Sequence, residues 1–400
     1  MSRLIKPSFL KAPALAGLCI ASVVALIACG GGGSSDSPAA SSFSSGPITG
    51  FGSVIVNGVR FDESSARISD DDGVSHVKGD LKLGMTAEID GGQITTDDKG
   101  SHCTAKSIGF RSEIVGPVDA VDLTAKTLVV LGQPVDVTAI TAFDDRLPSG
   151  LASITVADVV EVYGTLDTTT GHYSATRIEP KANAPLFKLR GTVASLDTTA
   201  HTFQIGSELI SYAGLAADKV PTGLANGLLV RVKLQTTQVL GAWVATKLQS
   251  AVQRVEDHDK AELKGMITAF TSVTQFSVDG IVVDASKASF PEGTTGIVLG
   301  ARVEVEGSAS GGVIVATKVS VETEDHARHG GFELHGAITA IDTTAQTFSL
   351  RGLTVSYADA GVQFKDGTAS QLAVGVQVEV KGVLSSDGTM VMATLIDFEH

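Results

Sequence analysis

The side chains best suited to chemistry lie in two acidic stretches that also carry histidine. They are Glu256-Asp257-His258-Asp259, and the run holding Glu322, Glu324, Asp325, His326 and His329, with His335 close behind. Imidazole and carboxylate together suit a divalent ion such as zinc, copper or nickel. Acidic, histidine-bearing stretches between folded units also serve as solvated spacers, and the sequence favours that use, so no metal ligand is assigned. Asp70-Asp71-Asp72-Gly73 has the acids of a calcium loop. Such loops place their oxygens at alternate positions, so three consecutive acids predict a charged hairpin tip. His102-Cys103 opens a strand, where a buried thiol is expected. Phe203, Phe276 and Phe348 share one strand position in three copies of a repeat described below, which predicts core rather than a stacking face for sugars or bases. Trp243 is the only tryptophan. No HExxH, GxSxG, CxxC or GxxxxGK[ST] pattern occurs, so no catalytic residue, cofactor or enzymatic activity is expected.

One cysteine has a different chemistry. Arg3, Lys6 and Lys11 precede an apolar run over residues 12–28, broken only by Ser22, Gly17 and Cys19. A basic head followed by an apolar stretch and small residues predicts a cleaved signal peptide over 1–28; the alternative is an uncleaved membrane anchor. The run ends Leu26-Ile27-Ala28-Cys29, which resembles the lipobox of bacterial lipoproteins. That resemblance implies diacylglycerol on the Cys29 sulfur, cleavage before it and acylation of its new amino group. Each buried methylene contributes about 0.8 kcal/mol, so several acyl chains hold stably. Gly30 stands where Asp would resemble an inner-membrane retention signal, which leaves the outer membrane, facing the periplasm or the cell surface, as the expected location. Residues 29–46 are Gly- and Ser-rich and are expected to form a flexible tether.

The formal charge of the chain is -14, and loss of Arg3, Lys6 and Lys11 leaves 27 basic against 44 acidic residues, or -17. Such a surface repels polyanions, so nucleic acid is not an expected partner. With Cys29 acylated, Cys103 is the one remaining thiol of the mature chain and no internal disulfide forms. Packing must therefore hold the fold together. The 43% hydrophobic content supports well-formed cores, and 44 glycines with few aromatics suit short strands and tight turns.

Three markers recur in constant order about every 70 to 75 residues. The first is Gly-x-[Val/Ile] at Gly116, Gly191, Gly265 and Gly336. The second is apolar-charged-apolar, centred on Glu88, Glu161, Arg231, Glu304 and Glu379. The third is an Ala-led strand at Ala105, Ala175, Ala245, Ala316 and Ala393. Each alternates apolar with polar, as a strand with one buried face does. The predicted fold is all-β: a tandem array of about five small five-stranded barrels similar to the oligonucleotide/oligosaccharide-binding fold, over 47–113, 114–184, 185–255, 256–327 and 328–400. Barrel closure removes exposed edges; a continuous β-solenoid is the alternative. In the fourth copy Val278-Asp279-Gly280-Ile281 is a predicted two-residue hairpin, and residues 286–299 leave room for a helical turn.

The marker order, following a lipobox and a Gly/Ser tether, resembles a proteobacterial family of repeat modules known only as a domain of unknown function. The opening Gly50-Phe51-Gly52-Ser53-Val54-Ile55-Val56-Asn57-Gly58 is similar to that family's first module. The resemblance implies a repeat fold and an envelope location, and carries no catalytic residues. Two roles follow as expectations. The first is a lipid-anchored envelope protein in which barrels strung end to end contact another protein or a polysaccharide. The second is an oligosaccharide- or metal-binding lipoprotein.

Overall fold

A computed structural model describes residues 40–98, 100–322 and 331–399. Cys29, most of the tether, Glu324, Asp325, His326 and His329 lie outside the described residues. The described chain is all-β, with 3-10 turns as its only helical elements.

Copy four shows how one module closes. Its strands are His258–Ser272, Gln275–Val278, Ile281–Asp284, Arg302–Ser310 and Val313–Val321. The first pairs antiparallel with the second and the second with the third. The third runs parallel to the fifth, the fifth antiparallel to the fourth, and the fourth returns to the first. Every strand thus has two neighbours, and the sheet closes into a five-stranded barrel. The same circuit recurs in the other copies, including Ser42–Phe51 to Gly100–Arg111 in copy one and Phe332–Asp342 to Met390–Phe398 in copy five. Copy two spans Ile114–Asp122 to Tyr173–Pro180, and copy three Phe187–Thr192 to Ala242–Ser250. A solenoid is excluded. Phe203, Phe276 and Phe348 are buried in these barrels. The predicted helical turn between third and fourth strands is a 3-10 turn in the other copies, as at Gly150–Ser153, while copy four fills 286–299 with turns and a single β-bridge from Ser289 to Lys318.

The repeated glycine has a steric cause. A Cβ at Gly265 would lie 2.0 Å from Asp279 Oδ2, one at Gly191 2.3 Å from Ile205 Cγ2, and one at Gly116 2.9 Å from Leu131 Cβ. In each case the clash is with the tip of the hairpin joining second and third strands, which folds back over the first strand. Asp279-Gly280 turns with φ of 47° and 88° and Asn57-Gly58 with 53° and 76°, the positive pair that a type I′ turn requires. Copy one has the same glycine at Gly46, where a Cβ would lie 2.6 Å from Asn57 Oδ1. Its first strand therefore begins at Ser42, with Ser42, Ser44 and Ser45 buried. This corrects the predicted tether boundary: residues 42–46 read as tether in sequence, yet 42–45 pair on both edges and Gly46 pairs with Ala87.

The barrels do not simply follow one another end to end. A first strand is longer than its own second strand, so its opening half has one edge that its own barrel leaves uncovered. Another barrel's first strand covers it. Ser42–Ser45 run parallel to Lys260–Leu263 of copy four, and Gly50 and Phe51 pair with Glu333 and Leu334 of copy five. Lys188 and Leu189 of copy three pair with Val115 and Ile114 of copy two. Copies one, four and five thereby share a 19-stranded sheet, and copies two and three an 11-stranded one.

Where these first strands meet, charge is buried. Arg190 is wholly inaccessible; its Nη1 donates to Glu113 Oε2 at 2.9 Å and its Nη2 to the Asp279 carbonyl at 2.6 Å. The Tyr173 hydroxyl donates to the Arg190 carbonyl. Arg111, also buried, pairs with Glu88, and burial beside Arg190 pushes its guanidinium down to about 10. Burial likewise raises the Asp279 carboxyl above its ordinary range, against the pull of Arg190 and Arg111. Removing one partner of a buried pair strands the other charge, at about 3–5 kcal/mol, whereas replacing both with apolar groups is often neutral.

Two stability measurements check these points by urea unfolding. Gly265→Ala should cost about 1–3 kcal/mol through overpacking, while Gly79→Ala, with nothing within 4 Å, should stay within about 0.5 kcal/mol. Arg190→Met should cost about 3–5 kcal/mol, and adding Glu113→Leu should recover most of that loss. A single variant no less stable than the double would remove the buried pair as a determinant.

Candidate functional site

Copies one, two, four and five meet around a cleft of about 310 Å³. Copy one supplies Pro47, Ile48 and Thr49 of its first strand and the Asn57-Gly58 turn. Copy four supplies Lys264, Arg302 and Glu322, and copy five Phe332, Glu333 and Lys381. Thr176 of copy two closes the floor by donating to the Gly84 carbonyl. Gly84, at φ 80°, is required there, because a Cβ would lie 2.1 Å from the Thr176 carbonyl oxygen.

Strand pairing explains the charged walls. In copy four Lys264 lies opposite Glu304, and its Nζ is 2.8 Å from Glu322 and 3.5 Å from Glu304. In copy five Glu333 lies opposite Lys381 and His335 opposite Glu379, all on the outer face. Lys381 Nζ is 3.2 Å from Glu379 and 3.6 Å from Glu333. Arg60 reaches across from copy one, its Nε donating to Glu333 Oε1 at 3.0 Å. His335 Nε2 sits 2.8 Å from Glu333 Oε1 and Nδ1 3.0 Å from Glu399 Oε1. Burial works against the charge on Glu333, but hydrogen bonds from His335 and Arg60 outweigh it and carry the carboxyl down to about 2. For His335 burial also opposes protonation, and bonds to Glu333 and Glu399 overcome it, so its pKa is raised.

Glu333, His335 and Glu379 bring three ligating atoms within 4.8 Å of one another. Arg60 and Lys381 already hold their oxygens, so the cluster ties copy one to copy five as an ion-pair network. The second acidic cluster among the described residues is Asp70, Asp71 and Asp72. It is the predicted hairpin tip, but a docked one. Asp71 meets Lys188 at 2.7 Å and Arg231 at 3.3 Å, and Asp72 meets Lys233 at 2.6 Å, all in copy three.

The histidine-bearing stretches divide. His258 is not part of a solvated spacer: it is buried, 3.2 Å from Asp90 of copy one and stacked on Phe43 at a centroid distance of 5.8 Å. A strand, not a linker, carries it, because the first strand of copy four starts seven residues before its marker glycine. Glu322 and His335 flank the cleft region. Cys103 is buried, and Trp243 is buried with its Nε1 donating to Glu208.

Sequence reasoning did not pick out Arg190 or Lys264 as site residues. The signal was present in the residue before the marker glycine, which is Arg190, Lys264 and His335 in copies three, four and five. A charge on a first strand, next to a glycine that a hairpin covers, ends in a junction between barrels.

These features define a protein of five interlocked small β-barrels with buried charged side chains such as Arg190, Glu113 and Lys188 at the borders between them. Residues 115–179, 264–320 and 335–397 match the model of a family described as a domain of unknown function (DUF5666). The three matches fall on copies two, four and five, so the domain recurs along the chain. Copies one and three close by the same circuit. No curated protein matches the chain.

The Glu333 carboxylate gives a pH test. Its folded pKa lies below the ordinary 4.5, so its contribution to stability is present above that value and is lost as pH falls toward about 2. Thermal melts of the wild type should fall over that window, and Glu333→Gln should flatten that part of the profile. An unchanged slope in the variant would remove Glu333 as a source of acid sensitivity.

Proposed function

We propose that this chain is a lipid-anchored outer-membrane protein, held through Cys29, whose interlocked barrels act as a non-enzymatic interaction module for another envelope protein or a polysaccharide. The observation that carries the proposal is how the buried ionisable side chains are used. Arg190, Glu113, Asp71 and Lys188 are matched to one another across barrel borders, an arrangement that fixes barrels in place rather than one that turns over a substrate. The sequence at Cys29 supports the anchor, and a surface charge of -17 after removal of the leader disfavours polyanionic partners.

Cells grown with a palmitate analogue test the anchor. The wild type should carry the label in the outer-membrane fraction, and Cys29→Ser should lose it. Affinity capture from solubilised envelopes should then return the same partner with both forms. Label persisting in Cys29→Ser overturns the anchor, and substrate turnover abolished by a single substitution overturns the non-enzymatic role.

A further inference from the structure

Every copy makes the same tight turn just before its fourth strand, and in copy one that turn is a plug. The Gly84 N–H donates to the Ile48 carbonyl of its own first strand at 2.9 Å, and equivalent bonds run from Ala157 to Val118, Gly227 to Val193, Gly300 to Ile267 and Gly375 to Ile338. All five of these turn residues have positive φ, between 75° and 91°. The residue ahead of each forms the tip. In copy one it is Leu83, buried in an apolar cluster with Ala142 of copy two. The Leu83 carbonyl accepts from Arg177 Nη1 at 3.3 Å, and the Gly84 carbonyl accepts from the Thr176 hydroxyl.

The socket that receives this plug is a β-bulge. In copy two Thr176 is the extra residue of the fifth strand, since Tyr163 faces Arg177 and Gly164 faces Ala175. A bulge bends its strand and re-aims a side chain. Thr246, Thr317 and Thr394 are the bulged residues of copies three, four and five. They are exposed, and their hydroxyls turn back to their own fourth strands, donating to the Lys233, Glu306 and Lys381 carbonyls. Copy three keeps a cation beside its threonine, the exposed Lys247, where copy two has Arg177. Copy four has its Thr317 carbonyl taken by the Ser289 N–H at 2.9 Å, and copy five has Leu395 in place of the cation. The open socket of matching chemistry is therefore on copy three.

The turn left free to fill such a socket is on copy five. Val374 is 63% exposed, and a Cβ at Gly375 would meet nothing within 4 Å among the described residues. The turn of copy two has Ala157 where a docked turn needs glycine, because a Cβ at Gly84 would lie 2.1 Å from the Thr176 carbonyl oxygen. Copy three has the polar Asn226 at the tip, its Oδ1 accepting from the Leu196 N–H at 2.9 Å. The turn of copy four is already engaged, since a Cβ at Gly300 would lie 2.6 Å from Asp167 Oδ1 of copy two.

We propose that the Val374-Gly375 turn of one molecule docks on the Thr246-Lys247 bulge of a second copy of this chain, repeating between molecules the contact that Leu83-Gly84 makes with Thr176-Arg177 within one. The Thr246 hydroxyl then donates to the Gly375 carbonyl, Lys247 Nζ donates to the Val374 carbonyl, and the Val374 side chain leaves water. Plug and socket are different surfaces, so the contact is heterologous and each docked molecule still offers one of them; copies join head to tail. This goes beyond the role proposed above, because it needs neither acylation of Cys29 nor a foreign partner.

Sedimentation of the detergent-solubilised full chain over a concentration series tests the contact. The wild type should grow in mass beyond a dimer as concentration rises. Gly375→Ala, a residue that Ala157 shows this turn can hold at φ 75°, should weaken association at least tenfold with an unchanged melting temperature. Lys247→Glu should do the same from the socket side. Mixing the two variants should restore dimers and stop there, because each pair keeps one intact plug and one intact socket. A wild type that stays monomeric at every concentration, a variant that associates undiminished, or a mixture no better than either variant alone overturns the assignment. If Gly375→Ala does not fold, Val374→Asp, at an exposed position, takes its place with the same expected loss.

Discussion

Closing a small barrel from strands of unequal length leaves main chain over. In each copy the first strand carries the barrel's covalent entry and outruns the second strand, so its opening half has donors and acceptors with no partner at home. An open edge of that kind recruits any strand that fits it. In this protein the strand that fits is the first strand of another copy. Ser42–Ser45 on Lys260–Leu263, Gly50-Phe51 on Glu333-Leu334 and Lys188-Leu189 on Ile114-Val115 are the same solution used three times. The rest of the architecture follows from it, including the early start of copy one and the placement of its strand between copies four and five.

The location of the charges follows from the same constraint. Main-chain pairing brings outer faces of barrels together, and outer faces carry the polar half of each alternating strand. Side chains that would be solvated on a lone barrel are therefore enclosed, and they persist because opposite charges arrive with them. Arg190 meets Glu113, Lys188 meets Asp71, and Arg60 meets Glu333. A barrel of about 70 residues buries only about 60% of the surface its unfolded chain exposes, so the added burial at these borders is a substantial part of what each copy has. At the cleft four copies approach without filling the space.

The barrels were legible in the sequence because their determinants are local. Alternating apolar residues, Asp-Gly and Asn-Gly turns and the recurrent glycines all act within one copy, and strands such as Phe276–Val278 and Ile281–Asp284 fall where the pattern puts them. The assembly was not legible, because its determinants are distant in sequence. Nothing near Ser42 announces that Lys260 will pair with it, and a serine-rich run reads as tether until a partner edge is supplied. Asp70 to Asp72 read correctly as a hairpin tip, but their lysine and arginine partners lie over a hundred residues away. His258 read as spacer for the same reason: its burial is created by Phe43 and Asp90 of another copy. What the repeat did offer was the basic residue ahead of the marker glycine, which recurs as Arg190, Lys264 and His335 and has meaning only when copies are compared.

If first-strand pairing and the enclosed charges make the barrels one body, the full chain should unfold as one. Differential scanning calorimetry reads this directly. A single transition whose calorimetric and van't Hoff enthalpies agree is the expected result. Several resolved transitions, each with the roughly 50 kcal/mol that a 70-residue barrel carries at about 0.7 kcal/mol per residue, would mean that the copies stand independently and that their shared edges do not govern the structure.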